Sequence, residues 1–158
     1  MKKLKIYLDT SVISHLQSDD VPEKMDITKS LWQMIQKGKY KACLSELVLQ
    51  ELSRCDESKN GLLKIYLADI DFETYFINDE TKELASLYIQ TGAFTDKHLE
   101  DALHVACAVF NNCNAVVSWN FKHIVKLTVI LLVNGVNKQM GYKEIEIVSP
   151  EVLVGEEE

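Results

Sequence analysis

Short apolar runs alternate along the chain with longer amphipathic stretches. Leu4, Ile6, Tyr7 and Leu8 form a run that is apolar on both faces, which predicts a buried strand over residues 4–8. Similar runs predict strands over residues 40–44, 115–117 and 144–148. Between them, apolar residues recur every three or four positions, the spacing of a half-buried helix. Leu31, Met34 and Ile35 share one face of a helix that Gly38 closes. Leu47, Val48 and Leu52 stripe a second helix, with Ser45 as its cap. A third begins at Asn78 or Asp79 and closes at Gly92. A fourth begins at Thr95 or Asp96 and turns Leu99, Ala102, Leu103, Ala106 and Val109 inward. Strands alternating with helices predict an α/β domain with a mainly parallel sheet. No linker or repeat interrupts the pattern. Residues 1–150 therefore read as one domain, with Pro150 marking its end and residues 151–158 as a short acidic tail.

Polar residues at the ends of these runs add chemistry. Asp9, Thr10 and Ser11 follow the first strand directly. A carboxylate there is costly unless a metal ion, a basic side chain or the amides opening a helix compensate it. Ligands of an open parallel sheet bind beyond the carboxyl ends of its strands. Asp9 lies on that edge, as do Ser118, Trp119 and Asn120 after "AVV". Glu51 borders the apolar face of the helix after the second strand, and Asp101 sits beside Leu99 and Ala102. Each acid alone reads as solvated or ion-paired. Polar positions arriving from four separate elements are explained more economically by a shared cation. Oxygen-only ligands suit Mg²⁺ or Mn²⁺, and such an ion serves phosphodiester chemistry.

The same stretches resemble the PIN-domain ribonucleases, most closely the VapC-type toxins of bacterial toxin–antitoxin pairs. "YLDTSVIS" resembles the opening strand and first acid, at Asp9. "LSELVLQEL" resembles the second motif, with its acid at Glu51, and "LEDALHVACA" the third, at Asp101. "VVSWNFKHI" resembles the fourth, in which a Ser or Thr is followed two residues later by Asp; here the pair is Ser118 and Asn120. The resemblance implies a PIN-like three-layer α/β/α domain and a Mg²⁺- or Mn²⁺-dependent endoribonuclease acting on RNA. It also implies a homodimer and an antitoxin encoded next door. Asp9 and Asp101 would bind the metal, Glu51 would bind it or orient a water for in-line attack, and Asn120 would complete the shell. Ser11 and Ser118 would hydrogen-bond to the carboxylates. Lys122 and His123 would meet RNA phosphates, a reading that a solvated helix start matches equally well. Asn120 departs from the family pattern, because an amide oxygen binds a hard cation without bringing charge.

Composition narrows the alternatives. The chain has 158 residues, 47% apolar and 26% charged, the proportions of a soluble globular domain. Its longest apolar run, "LTVILLV", is too short to span a membrane. The four cysteines form no metal-finger spacing and no CxxC pair. That usage, with no apolar leader at the N-terminus, predicts a cytoplasmic protein. A net charge of -7 argues against a generic nucleic-acid coat. Residues 102–143, however, contain no Asp or Glu while holding Lys122, Lys126, Lys138 and Lys143. A haloacid-dehalogenase-like phosphatase would need a second Asp where Ser11 stands. The remaining alternative is a catalytically weak or inactive PIN-like binding module, favoured by Asn120 and the acidic charge. His98, His104 and His123 lack the spacing of a histidine metal site and are expected in hydrogen-bonding or surface roles. Glu46 and Glu100 are expected as surface charges.

Overall fold

Four of the five strands arise where the apolar runs lie, and their order places two polar strand ends side by side. The computed structural model describes residues 2–155. Strand β1 (Leu4–Leu8) leads into a short helix α1 (Thr10–Ser14) and then α2 (Pro22–Gln36). Next come β2 (Tyr40–Ser45), α3 (Glu46–Leu52), α4 (Glu57–Ala68) and β3 (Phe72–Tyr75). Helix α5 (Asp79–Gln90) is followed by a 3-10 turn over Asp96–His98, α6 (Leu99–Phe110) and β4 (Ala115–Val117). The chain continues through α7 (Leu127–Gln139), β5 (Glu146–Val148) and α8 (Pro150–Gly155). The strand order is β3-β2-β1-β4-β5 and every pairing is parallel. Helices flank the sheet, giving the α/β/α layering expected.

Strand β1 lies at the centre because its apolar residues are covered on both faces; Ile6, Tyr7 and Leu8 are fully buried. It pairs with β2 on one side and β4 on the other, with Leu8 opposite Val117. The chain winds outward from β1 to β3, then returns to add β4 on the opposite side. The topological switch therefore lies between β1 and β4, where parallel sheets open a crevice for ligands. Asp9 and Ser118 are the first residues beyond these two strands.

The helix signals act as their chemistry requires. Asn78 caps α5 by accepting from the Thr81 amide at 2.8 Å. Gly38 and Gly92 adopt positive φ of 85° and 89° just past α2 and α5, conformations that a side chain would strain. Ser45 precedes α3 but does not cap it with its hydroxyl, which turns instead to Tyr7.

Beyond the Ser45 cap, two further expectations are corrected. The fourth helix proper starts at Leu99, because residues 96–98 form a 3-10 turn after Thr95. The compact part also continues past residue 150. Helix α8 lies against α2, Leu153 is buried, and the Tyr40 hydroxyl donates to the Leu153 carbonyl at 3.4 Å. Apolar burial thus folds residues 151–155 back onto the domain, and the rest of the expected tail lies outside the described residues.

Candidate active site

Asp9 is 3% exposed at the end of β1. Its Oδ1 accepts from the Val12 amide at 3.2 Å, capping α1, and from the Ser11 hydroxyl at 2.6 Å. Its Oδ2 accepts from the Ser118 hydroxyl at 2.5 Å. The predicted trio of Asp9, Ser11 and Ser118 is therefore one hydrogen-bonded unit across the β1–β4 crevice. Ser11 also accepts from the Trp119 amide, and Ser118 from the Asn120 amide, each at 2.9 Å. Of the three compensations open to a buried carboxylate here, a helix amide is in place, joined by two hydroxyls. They do not cancel its cost. Burial lifts the Asp9 carboxyl above its ordinary range, against the opposing effects of His104 and these three donors.

Asp101, on the first turn of α6, is half-buried. Its carboxyl is likewise raised by burial and by the charge of Asp9, against the pull of His104, His123 and His98. Asp101 thus lies within the field of Asp9. The His98 Nδ1 stands 3.8 Å from Asp101 Oδ2.

Glu51 is held differently. Its Oε1 accepts from the Thr10 hydroxyl at 2.8 Å and from His104 Nε2 at 2.5 Å. Burial raises its carboxyl, but these donors outweigh burial and keep it below its usual range. His104 is 2% exposed, and its Nδ1 meets the Tyr7 hydroxyl at 2.7 Å. That hydroxyl in turn meets Ser45 Oγ at 2.7 Å. A carboxylate only accepts, so Nε2 carries a proton. Nδ1, the Tyr7 hydroxyl and Ser45 Oγ continue the chain of hydrogen bonds inward. Every donor and acceptor of the buried relay is satisfied. His104 therefore has the expected hydrogen-bonding role, deep inside the domain.

Asn120 serves a turn. Its Oδ1 accepts from the His123 amide at 2.9 Å, which fixes residues 120–123 and presents Lys122 and His123 at the surface. Trp119 is core, donating its indole N–H to Thr28 Oγ1 at 2.9 Å. Glu100 is exposed and pairs with Arg54, as a surface charge should. Glu46 is not free on the surface: it is half-buried and accepts from the Ile77 amide at 2.8 Å.

The Asp9–Asp101 pair fits a hard divalent cation. Mg²⁺ is commonly held by one or two carboxylates together with waters and substrate phosphate, and both carboxyls here carry an uncompensated burial cost. The wider four-residue set is not assembled in this structure. Glu51 is engaged by Thr10 and His104, Asn120 by the His123 amide. Among the described residues no group of three His, Cys, Asp or Glu side chains is arranged to hold an ion. Sequence reasoning missed Thr10, Tyr7 and Ser45 as partners at the site. The one signal for His104 was its position three residues after Asp101, one helical turn on the same side.

No curated protein matches the chain by sequence. One similar solved structure is the crystal structure of VapBC2 from Rickettsia felis bound to a DNA fragment from their promoter. It is 14% identical, the alignment covers 92% of this chain and 98% of that one, and the TM-score is 0.59. At that identity the likeness establishes the fold alone. The PIN domain family model matches residues 6–123, from inside β1 through the turn after β4. With the match spanning well over half of the sequence, and Asp9, Glu51, Asp101 and Ser118 all inside it, the chain belongs to the PIN-domain family.

Proposed function

We propose that this chain is a Mg²⁺- or Mn²⁺-dependent endoribonuclease, the VapC-type toxin of a toxin–antitoxin pair, acting as a cytoplasmic homodimer. The observation that carries the reading is the buried Asp9 at the β1–β4 switch point, held by Ser11, Ser118 and the Val12 amide. Asp9 and Asp101 would hold the ion. When bound, such an ion supplies Lewis acidity toward the phosphoryl oxygens and lowers the pKa of the attacking water. Ser11 and Ser118 fix the orientation of the Asp9 carboxylate. Glu51, held by Thr10 and His104, orients the attacking water. Asn120 caps the turn that offers Lys122 and His123 to RNA phosphates. The antitoxin partner is proposed from the likeness to VapBC2. Free cysteines, with no disulfide among the described residues, are in keeping with a reducing compartment.

The test is incubation of the chain with total RNA and defined oligoribonucleotides in Mn²⁺ or Mg²⁺, with analysis of product ends. Cleavage to 5′-phosphate and 3′-hydroxyl products, lost in Asp9→Asn and Asp101→Asn, is the expected result. The engagement of Glu51 and Asn120 elsewhere favours the second reading, a non-cleaving PIN module. Metal binding without cleavage of any RNA would establish that reading in place of the first.

A further inference from the structure

A second feature adjoins the acidic pair. A cavity of about 180 Å³ opens between the loop after α5 and the start of α7. Phe94, Thr95, His98, Lys122, His123 and Lys126 line it, and among the described residues no carboxylate does. Its volume is well below the roughly 300–1,000 Å³ of pockets that enclose drug-sized ligands, which suits a small anion better than a whole nucleotide. The His98 and His123 rings stack with centroids 3.8 Å apart, forming one wall. His98 also faces Asp101, so this wall separates the cavity from the acidic pair. Among the described residues neither Lys122 nor Lys126 makes an ion pair. Lys122 and Lys126 line the cavity without an ion-pair partner among these residues and repel one another, and an anion seated between them relieves that repulsion.

We propose that this cavity is a phosphoryl-binding subsite, in which Lys122 and Lys126 hold a backbone phosphate of the RNA beside the one being cleaved. The assignment of the phosphate to RNA rests on the endoribonuclease reading, whereas the affinity of the cavity for a phosphoryl group does not. The stacked histidines then act as a partition, with the positive subsite on one side and the acidic pair on the other. This local separation lets an acidic protein engage a polyanion at one place.

The decisive probe is inorganic phosphate, titrated into the metal-free protein at fixed pH and ionic strength, with sodium chloride as the balancing salt. Proton NMR resonances of the His98 and His123 rings should shift saturably. In the Lys122→Ala/Lys126→Ala double variant the midpoint should rise at least tenfold, and in the double arginine variant it should recover. Both lysines are exposed, so the fold should survive. A single-stranded RNA oligomer, followed by fluorescence anisotropy in EDTA, gives the second readout. The slope of log Kd against log salt should fall by about 0.7 in the alanine variant, the loss of one phosphate contact. Ring resonances that do not respond to phosphate in the wild type, or an alanine variant that binds phosphate equally well, would overturn the subsite. Saturable phosphate binding in a chain that cuts no RNA would overturn the nuclease reading and leave the subsite standing.

Discussion

Asp9 and Glu51 are shifted in opposite directions, and the signs have measurable consequences. Asp9 is raised in the folded state above its ordinary value of 3.8. Between the unfolded and folded pKa the native state binds more protons, so metal-free stability falls as pH rises through that window. Asp101 acts with the same sign. Glu51 is lowered from 4.5, so its contribution is present above that value and is lost as pH falls through its folded pKa. We therefore expect Asp9→Asn in EDTA to melt above the wild type at neutral pH. That gap should shrink as pH approaches the ordinary carboxylate range. Thermal melts across about pH 4 to 8 check this, and a gap that grows in acid would contradict it. The His104 relay makes a second residue-scale prediction. His104→Leu removes one hydrogen-bond partner from the buried Tyr7 hydroxyl, which keeps Ser45, and one from Glu51 Oε1, which keeps Thr10. The cost should be about 1–3 kcal/mol in denaturant unfolding. A loss under half that would mean water restores the relay.

At the scale of elements, β1, α5 and α6 are legible in the sequence because burial and periodicity agree in each. In α6, Ala102, Ala106 and Val109 turn inward as expected and Val105 joins them, whereas Leu103 is only partly buried and Leu99, at the helix start, is exposed. Strand β3 is not legible: "FETY" lies at the sheet edge, half-exposed, and carries no apolar run. Helix α4 buries only Leu63 and Leu67 and contains Gly61, so its pattern is weak. Helix α7 is apolar on nearly every side, burying Val129, Val133 and Val136 while Leu127 and Leu131 stay exposed, which hides its period. The same logic governs the site. Asp9 and Asp101 stand out because each interrupts an apolar stretch. The link from Tyr7 through His104 to Glu51 joins three distant elements, and nothing in the local sequence announces it. The turn of residues 120–123 carries the third prediction. Asn120→Asp keeps the cap, since a carboxylate accepts as well as an amide, and adds negative charge beside the acidic pair. Mn²⁺ affinity should rise and metal-free stability should fall, each by about 1 kcal/mol. Calorimetric titration and metal-free melting measure both; an unchanged Kd and melting temperature would remove Asn120 from the neighbourhood of the ion.

For the whole molecule, a net charge of -7 coexists with a stretch from residue 102 to 143 that holds lysines and no acids. Part of that stretch lies near the acidic edge: His123 acts on the Asp101 carboxyl, and Lys122 and Lys126 line the cavity on the far side of the stacked histidines. No helix among the described residues is long and apolar enough to cross a membrane. Parallel winding around β1 brings Asp9 and Ser118 together from positions 109 residues apart, a juxtaposition that only the completed sheet creates. Asp9 and Asp101 both have raised carboxyls, and Asp9's charge contributes to the rise at Asp101; in the proposed site a divalent cation would relieve that repulsion. Calorimetric titration of Mn²⁺ into the wild type, Asp9→Asn, Asp101→Asn and the double variant tests that claim most directly. Saturable binding in the wild type, weakened at least tenfold in either single variant with little further loss in the double, is the predicted result. Equal Mn²⁺ affinity in all four proteins would contradict it.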